Sequence, residues 1–176
     1  MTSPADERAK DLAKVIPQPR RELIGSRRQY LEAFDGLLAT VRRELRVFDP
    51  DCTQLELNAP VRHAALRQFL LASADNRLFV VVHDPEHLKR GCPRMLDLVR
   101  DFSFAVAVHQ SEGEAARVQD CFVLADMEHF VRRPVAAQSR GVFTLNEYQD
   151  ARLMRERFDE IWQSSVPAIP ATTLGL

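Results

Sequence analysis

Apolar side chains recur at helical spacing at Tyr30, Leu31, Phe34, Leu37, Leu38, Val41 and Leu45, directly after Ser26-Arg-Arg-Gln29, which has the form of a capping box. A first helix is predicted there. Leu45-Arg-Val-Phe-Asp49 then alternates as a strand does and stops at Asp49-Pro50-Asp51, where Pro50 removes a ladder donor and the aspartates favour a turn. After a short Gln54-Leu-Glu-Leu57 segment, Pro60 suits the first turn of a helix over 61–72 that buries Ala65, Leu66, Phe69 and Leu70. Leu78-Phe-Val-Val-Val82 is a continuous apolar run rich in β-branched residues, as a central strand covered on both faces requires. Asp84-Pro85-Glu86 restarts a helix, and Met95, Leu96, Leu98 and Val99 mark another. Phe104-Ala-Val-Ala-Val108 reads as a second buried strand. Phe122-Val-Leu-Ala125 and His129-Phe-Val131 form a hairpin around Asp126-Met-Glu128. A last helix over 146–165 buries Ala151, Met154, Phe158, Ile161 and Trp162.

Helix, strand, helix, strand, helix, three strands and helix is the order of an α/β fold: a layered mixed β-sheet flanked by helices, its crossovers giving parallel neighbours and its hairpin antiparallel ones. Residues 1–25 alternate charged and small residues around Pro17 and Pro19 and read as a mobile N-terminal arm. Residues 26–165 form one domain, and 166–176, with Pro167 and Pro170, an irregular tail.

Composition narrows the class. A net charge of −1 gives no global field for nucleic acid or an anionic membrane, so nucleic-acid binding is disfavoured unless a local patch supplies it. Cys52, Cys92 and Cys121 are odd in number and form no C-x-x-C pair, which fits free thiols in a reducing compartment. No apolar run approaches the ~20 residues that span a bilayer. A cytoplasmic protein without a membrane segment is expected.

The stretch richest in chemical information is Val118-Gln-Asp-Cys-Phe-Val-Leu-Ala-Asp126, followed by the helix ending Phe158-Asp-Glu-Ile-Trp162. With the strand ending in Asp49-Pro50, the Val80-Val-Val82 strand and Asn146-Glu147 before the last helix, it resembles a half-unit of the phospholipase D superfamily over roughly 37–165. A similar degenerate domain of unknown function accompanies some bacterial acetyltransferases, and the chain resembles a free-standing bacterial member. The resemblance implies a His-x-Lys-x4-Asp strand whose His attacks a phosphodiester. Here those positions hold Gln119, Cys121 and Asp126. Glutamine can neither attack nor exchange a proton near neutral pH, and Cys121 has no cation beside it in sequence. The resemblance therefore implies a pseudoenzyme.

Other residues leave alternatives open. Strand ends and their loops line the phosphate groove of such a sheet, so Asp49, His83, Asp84, Asp126, Arg132, Arg133 and Asn146 form a candidate groove for a phosphate-containing ligand. Asp126 also reads as a turn residue, Cys121 as a small buried hydrophobe, and Asn146 as a helix N-cap with Gln149 at N3. His83-Asp-Pro-Glu-His87 formally matches H-x-x-E-H, which gives a minor metal set of His83, Asp84 and His87, with Asp49 as a substitute. Pro85 argues against both histidines sharing a helix face. The leading expectation is a non-catalytic binding or assembly module, without a cofactor. Because active relatives use two facing half-units, it is expected to be a homodimer. The alternatives are a phosphodiesterase or metal-dependent hydrolase using 83–87, and a nucleic-acid-binding accessory protein.

Overall fold

The computed structural model describes residues 17–170. Its elements are β1 (Arg20–Ile24), α1 (Arg27–Thr40), β2 (Glu44–Asp49), a 3-10 turn (Thr53–Leu55), α2 (Pro60–Ala72), β3 (Arg77–Val82), α3 (Glu86–Gly91), α4 (Pro93–Asp101) and β4 (Val106–Ser111). A second 3-10 turn (Ala115–Arg117) precedes β5 (Cys121–Ala125), β6 (His129–Arg133), β7 (Gly141–Leu145), α5 (Tyr148–Gln163) and β8 (Ser165–Pro167). The capping signal operates as expected: Ser26 Oγ accepts from Gln29 N at 3.2 Å, while Gln29 Oε1 reaches back to Gly25 N at 2.8 Å. Pro60 and Pro93 occupy the first turns of α2 and α4, where an N–H would be unpaired anyway.

All eight strands form one mixed sheet in the order β1-β7-β6-β5-β2-β3-β4-β8. β2, β3 and β4 are parallel neighbours joined through α2, α3 and α4; β5 returns antiparallel to β2 and opens the β5–β6–β7 meander. Alternation along the strands divides the interior. One face carries Val47, Val80, Val82, Cys121, Val123 and Val131 and packs on Tyr30, Phe34 and Leu37 of α1 and on α2 to α4. The other carries Phe48, Val81, Phe122, Leu124 and Phe130 and packs on Ala151, Phe158 and Ile161 of α5. A layered mixed sheet between helices is thus observed as expected, and among the described residues no helix is long and apolar enough to cross a membrane.

Several boundaries differ from the sequence reading. Residues 20–24, expected within the arm, pair antiparallel with β7; residues 1–16 lie outside the described residues. Gly141 starts β7 because a Cβ there would collide with the Arg132 carbonyl of β6. The Phe104 strand begins two residues late: Val106 N still bonds to Phe102 O, and the turn leaves Phe104 97% exposed. Helix α5 spans 148–163. Ser165, expected to close the last helix, and the first two residues expected in the tail, Val166 and Pro167, instead form β8, which pairs with β4. Trp162 is partly buried, stacked on His109 at 3.8 Å between ring centroids.

Candidate functional site

Antiparallel pairing of β5 with β2 sends the two ends of Gln119-to-Asp126 to opposite ends of the sheet: Phe122 faces Phe48 in register, and Ala125 faces Leu45. Asp49, Cys121 and Arg133 therefore gather at one end, and Asp126 and Asn146 at the other. The seven residues expected to share a groove do not share one.

Asp126 pins the α1–β2 connection. Its Oδ2 accepts from Arg42 N at 2.9 Å and its Oδ1 from Arg43 N and Glu44 N at 2.7 and 3.0 Å. Asn146 is not the N-cap. Its own φ is 58°, its N–H donates to His129 Nδ1 at 3.0 Å, and its Nδ2 donates to Gln18 O; Glu147 caps α5 by accepting from Gln149 N. Asp126 and Asn146 line a groove of about 570 Å³ with Arg42, Glu128, His129 and Tyr148.

At the opposite end, Gln119 is exposed and its carbonyl accepts from Ala136 N at 2.8 Å. Two residues on, Cys121 points into the α1 face and is fully buried. Its sulfur lies 3.4 Å from Arg133 Nε, which donates to it, and 3.8 Å from the Tyr30 hydroxyl. Arg133 is itself 2% exposed, its guanidinium 4.1 Å from the Tyr30 ring centroid and its Nη1 donating to Gln54 Oε1 at 2.6 Å. Asp49, also 2% exposed, closes the cluster. Burial pushes the Asp49 carboxyl, the Cys121 thiol and the Tyr30 phenol above their ordinary values; the Asp49 charge adds to the shift at Cys121, while Arg133 opposes it.

Alternation on β6 places Arg132 on the other face. There it and Arg157 of α5 both donate to Asp120, at 3.0 and 2.9 Å to separate oxygens. Asp120 is 3% exposed and ties α5 to the sheet, so Asp120→Ala is expected to lower stability by about 2–3 kcal/mol, measured by urea denaturation.

The histidine motif is taken apart by the fold. His83 directly follows β3, with Nδ1 2.6 Å from Ser111 Oγ and Nε2 2.8 Å from the Val118 carbonyl, which requires the proton on Nε2. Asp84 precedes the N-cap Pro85 and accepts from Glu86 N at 2.9 Å, and His87 Nε2 faces Cys92 Sγ at 3.4 Å. The set His83, Asp84 and His87 is therefore not assembled, because each side chain is engaged with a different neighbour. Among the described residues no group of three His, Cys, Asp or Glu side chains could hold a metal ion.

The sequence reading missed Tyr30, Gln54 and Asp120 as polar partners. Tyr30 was legible only as a helix-face apolar residue. Asp120 sits between the two motif positions, where alternation would have placed it on the opposite face from both.

Solved structures share this architecture. The chain is similar to TrmBL2, described as an archaeal chromatin protein with a novel mode of DNA binding, at 13% identity and a TM-score of 0.62, covering 93% of this chain and 62% of that one. It is similar to Nuc from Salmonella typhimurium, described as a phospholipase D family member, at 12% identity and a TM-score of 0.57, covering 86% of this chain and 99% of that one. NucT from Helicobacter pylori gives 9% identity and a TM-score of 0.59, over 86% of this chain and all of the other. At these identities the likeness is one of fold, and it is that of a phospholipase D-like domain. No curated protein matches the sequence. All of the helices and every strand but β1 lie within residues 26–173, over which the chain belongs to the family described as domain of unknown function DUF7931.

Proposed function

We propose that this protein is a non-catalytic phospholipase D-like module that acts by binding or assembly. The observation that carries this reading is the Cys121 environment. At the position where the resemblance expects a lysine to grip phosphate, a neutral thiol is buried against Tyr30 and Arg133, and the nucleophile position is an exposed glutamine. Phosphoryl chemistry needs a nucleophile and cations aimed at an accessible anion. Here Arg133, the cation against Cys121, is turned inward. A phosphodiesterase assay tests the reading, and restoring the motif sharpens it. Gln119→His with Cys121→Lys is expected to gain no turnover and to lose stability, because the new ammonium would be driven into the Arg133 guanidinium; turnover in the double variant would show that only two side chains separate the chain from activity.

A phosphate-containing ligand remains part of the proposal, on the outer surface of the same sheet end. Arg117 and Arg140 are exposed and precede β5 and β7 there, whereas Arg132 and Arg133 are engaged by Asp120, Gln54 and Cys121. Titration with inorganic phosphate and with a short DNA duplex separates a simple anion site from a nucleic-acid interface, the second being favoured by the likeness to TrmBL2. Self-association as a homodimer is the assembly arm of the proposal. It is supported by Leu23 of edge strand β1 and Leu153 of α5, which are 82% and 52% exposed on the thinly covered side of the sheet. Light scattering at micromolar concentration is expected to give twice the monomer mass.

A further inference from the structure

Helices α1 and α2 leave a groove of about 470 Å³ between them, on the face of the sheet opposite α5. Leu38, Ala39 and Val41 line one side of it and Val61, Ala65 and Phe69 the other. At one end Arg62 Nε donates to Asp35 Oδ1 at 2.8 Å. At the other, where Val41 caps α1 and Ala72 ends α2, the chains leaving the two helices meet as Arg77 N donates to Arg43 O at 2.9 Å. Val61 is 78% exposed. A lone exposed apolar side chain is ordinary, but this one lies on a concave apolar surface.

The chain itself enters at this groove. Pro17, the first described residue, lies beside Ala39 and Val41, at the end where the two helices finish. In the sequence before it, Ala5, Ala9, Leu12, Ala13 and Ile16 recur at the spacing of one helical face, and Asp6, Glu7, Arg8, Lys10, Asp11 and Lys14 occupy the positions between. Ala5 to Ile16 and Val61 to Ala72 contain the same number of residue steps, about 16 Å of helix in each case. The charges are also compatible: three acidic and three basic side chains in the segment cancel, as do Asp35 and Arg62 at the groove, so burying the apolar stripe meets no net repulsion.

We propose that residues 5–16 dock as an amphipathic helix in the α1–α2 groove of their own chain, with Ile16 at the Val41 end and Ala5 towards Val61. The three alanines allow close approach to α1 and α2, and Leu12 and Ile16 supply the apolar area that is buried. This seat is on the α1 face, away from Leu23 and Leu153, so it stands whether or not the protein dimerises or binds an anion.

Limited trypsin digestion of the intact chain tests the seat, because Arg8, Lys10 and Lys14 all lie in the segment, and mass spectrometry of the released peptides gives the rate at each. A docked segment is cut only when it lifts, so the rate follows the undocked population. Leu12→Asp removes an apolar anchor. Val61→Asp puts a charge into the groove at an exposed first-turn position of α2, where an acidic side chain favours the helix. Each is expected to speed cleavage at the three sites by about tenfold or more. Leu71→Asp, on the same helix but outside the groove and 64% exposed, should be cut at the wild-type rate. Equal rates in wild type, Leu12→Asp and Val61→Asp would overturn the proposal. Acceleration by Leu12→Asp alone would put the segment elsewhere and reject this seat, and it decides the matter if Val61→Asp fails to fold and hydrogen exchange over 61–72 is unchanged in Leu12→Asp. Wild-type protection that disappears on dilution would assign the groove to the segment of a second copy, against docking within one chain.

Discussion

Arg133→Ala is expected to lower stability by about 3–5 kcal/mol in a urea or thermal melt, the range for removing one partner of a buried charged cluster. The truncation leaves the Gln54 oxygen without its donor, uncovers the Tyr30 ring, and removes a cation that opposes the Asp49 charge. Arg133→Met separates the contributions. Methionine refills most of the volume without a charge, and exchanging a buried charge for a well-packed apolar side chain is often neutral. Recovery of most of the loss would show that Arg133 closes the sheet end mainly by filling it; a loss as large as that of alanine would assign the effect to its hydrogen bonds.

A loss of similar size is expected on the other face. Phe122 is fully buried, 5.5 Å from Phe48 and 6.4 Å from Phe158 between ring centroids, at the centre of the cluster that seats α5. Phe122→Ala should cost about 3–5 kcal/mol through lost burial and the cavity left behind. Helix α5 is also held by Arg46, which is buried against Phe79 and Phe158 and paired with Glu44 and Asp159. The variant should therefore loosen α5 before the rest of the sheet. Hydrogen exchange in Met154 to Trp162 checks this, and protection lost uniformly over the molecule would contradict it.

The long periodic segments were legible because burial alone determines them: α1, β2, α2, β3 and the β5–β6 hairpin lie where apolar spacing placed them. The edges were not. β1 is Arg-Arg-Glu-Leu-Ile and pairs through its backbone with a strand more than 100 residues away, which no local pattern reports. The Phe104 segment looked like a buried strand because its composition suits one, yet its first residues are used to close the turn after α4.

At the candidate site, the sequence shows directly that Gln119 and Cys121 stand where the resemblance implies a histidine and a lysine. What surrounds them was not legible. The cluster needs Tyr30, Asp49, Gln54, Cys121 and Arg133 from five separate places in the chain, and its polarity is visible only once β5 and β6 are paired and their alternation puts Arg132 and Arg133 on opposite faces. Asp126 and Asn146 were misplaced for the same reason. The residue steps from Gln119 to Asp126 span roughly 23 Å when extended, so motif positions at the two ends cannot meet in one groove.

On the proposed function, the strand end where the resemblance implies phosphodiester chemistry is a buried structural cluster of Tyr30, Asp49, Cys121 and Arg133. Turnover of a chromogenic aryl phosphodiester by the intact chain, with His83→Ala alongside, tests this most directly. The expected result is hydrolysis indistinguishable from buffer for both proteins; saturable turnover by the wild-type chain that disappears in a folded His83→Ala variant would contradict the account and return the protein to the enzymes.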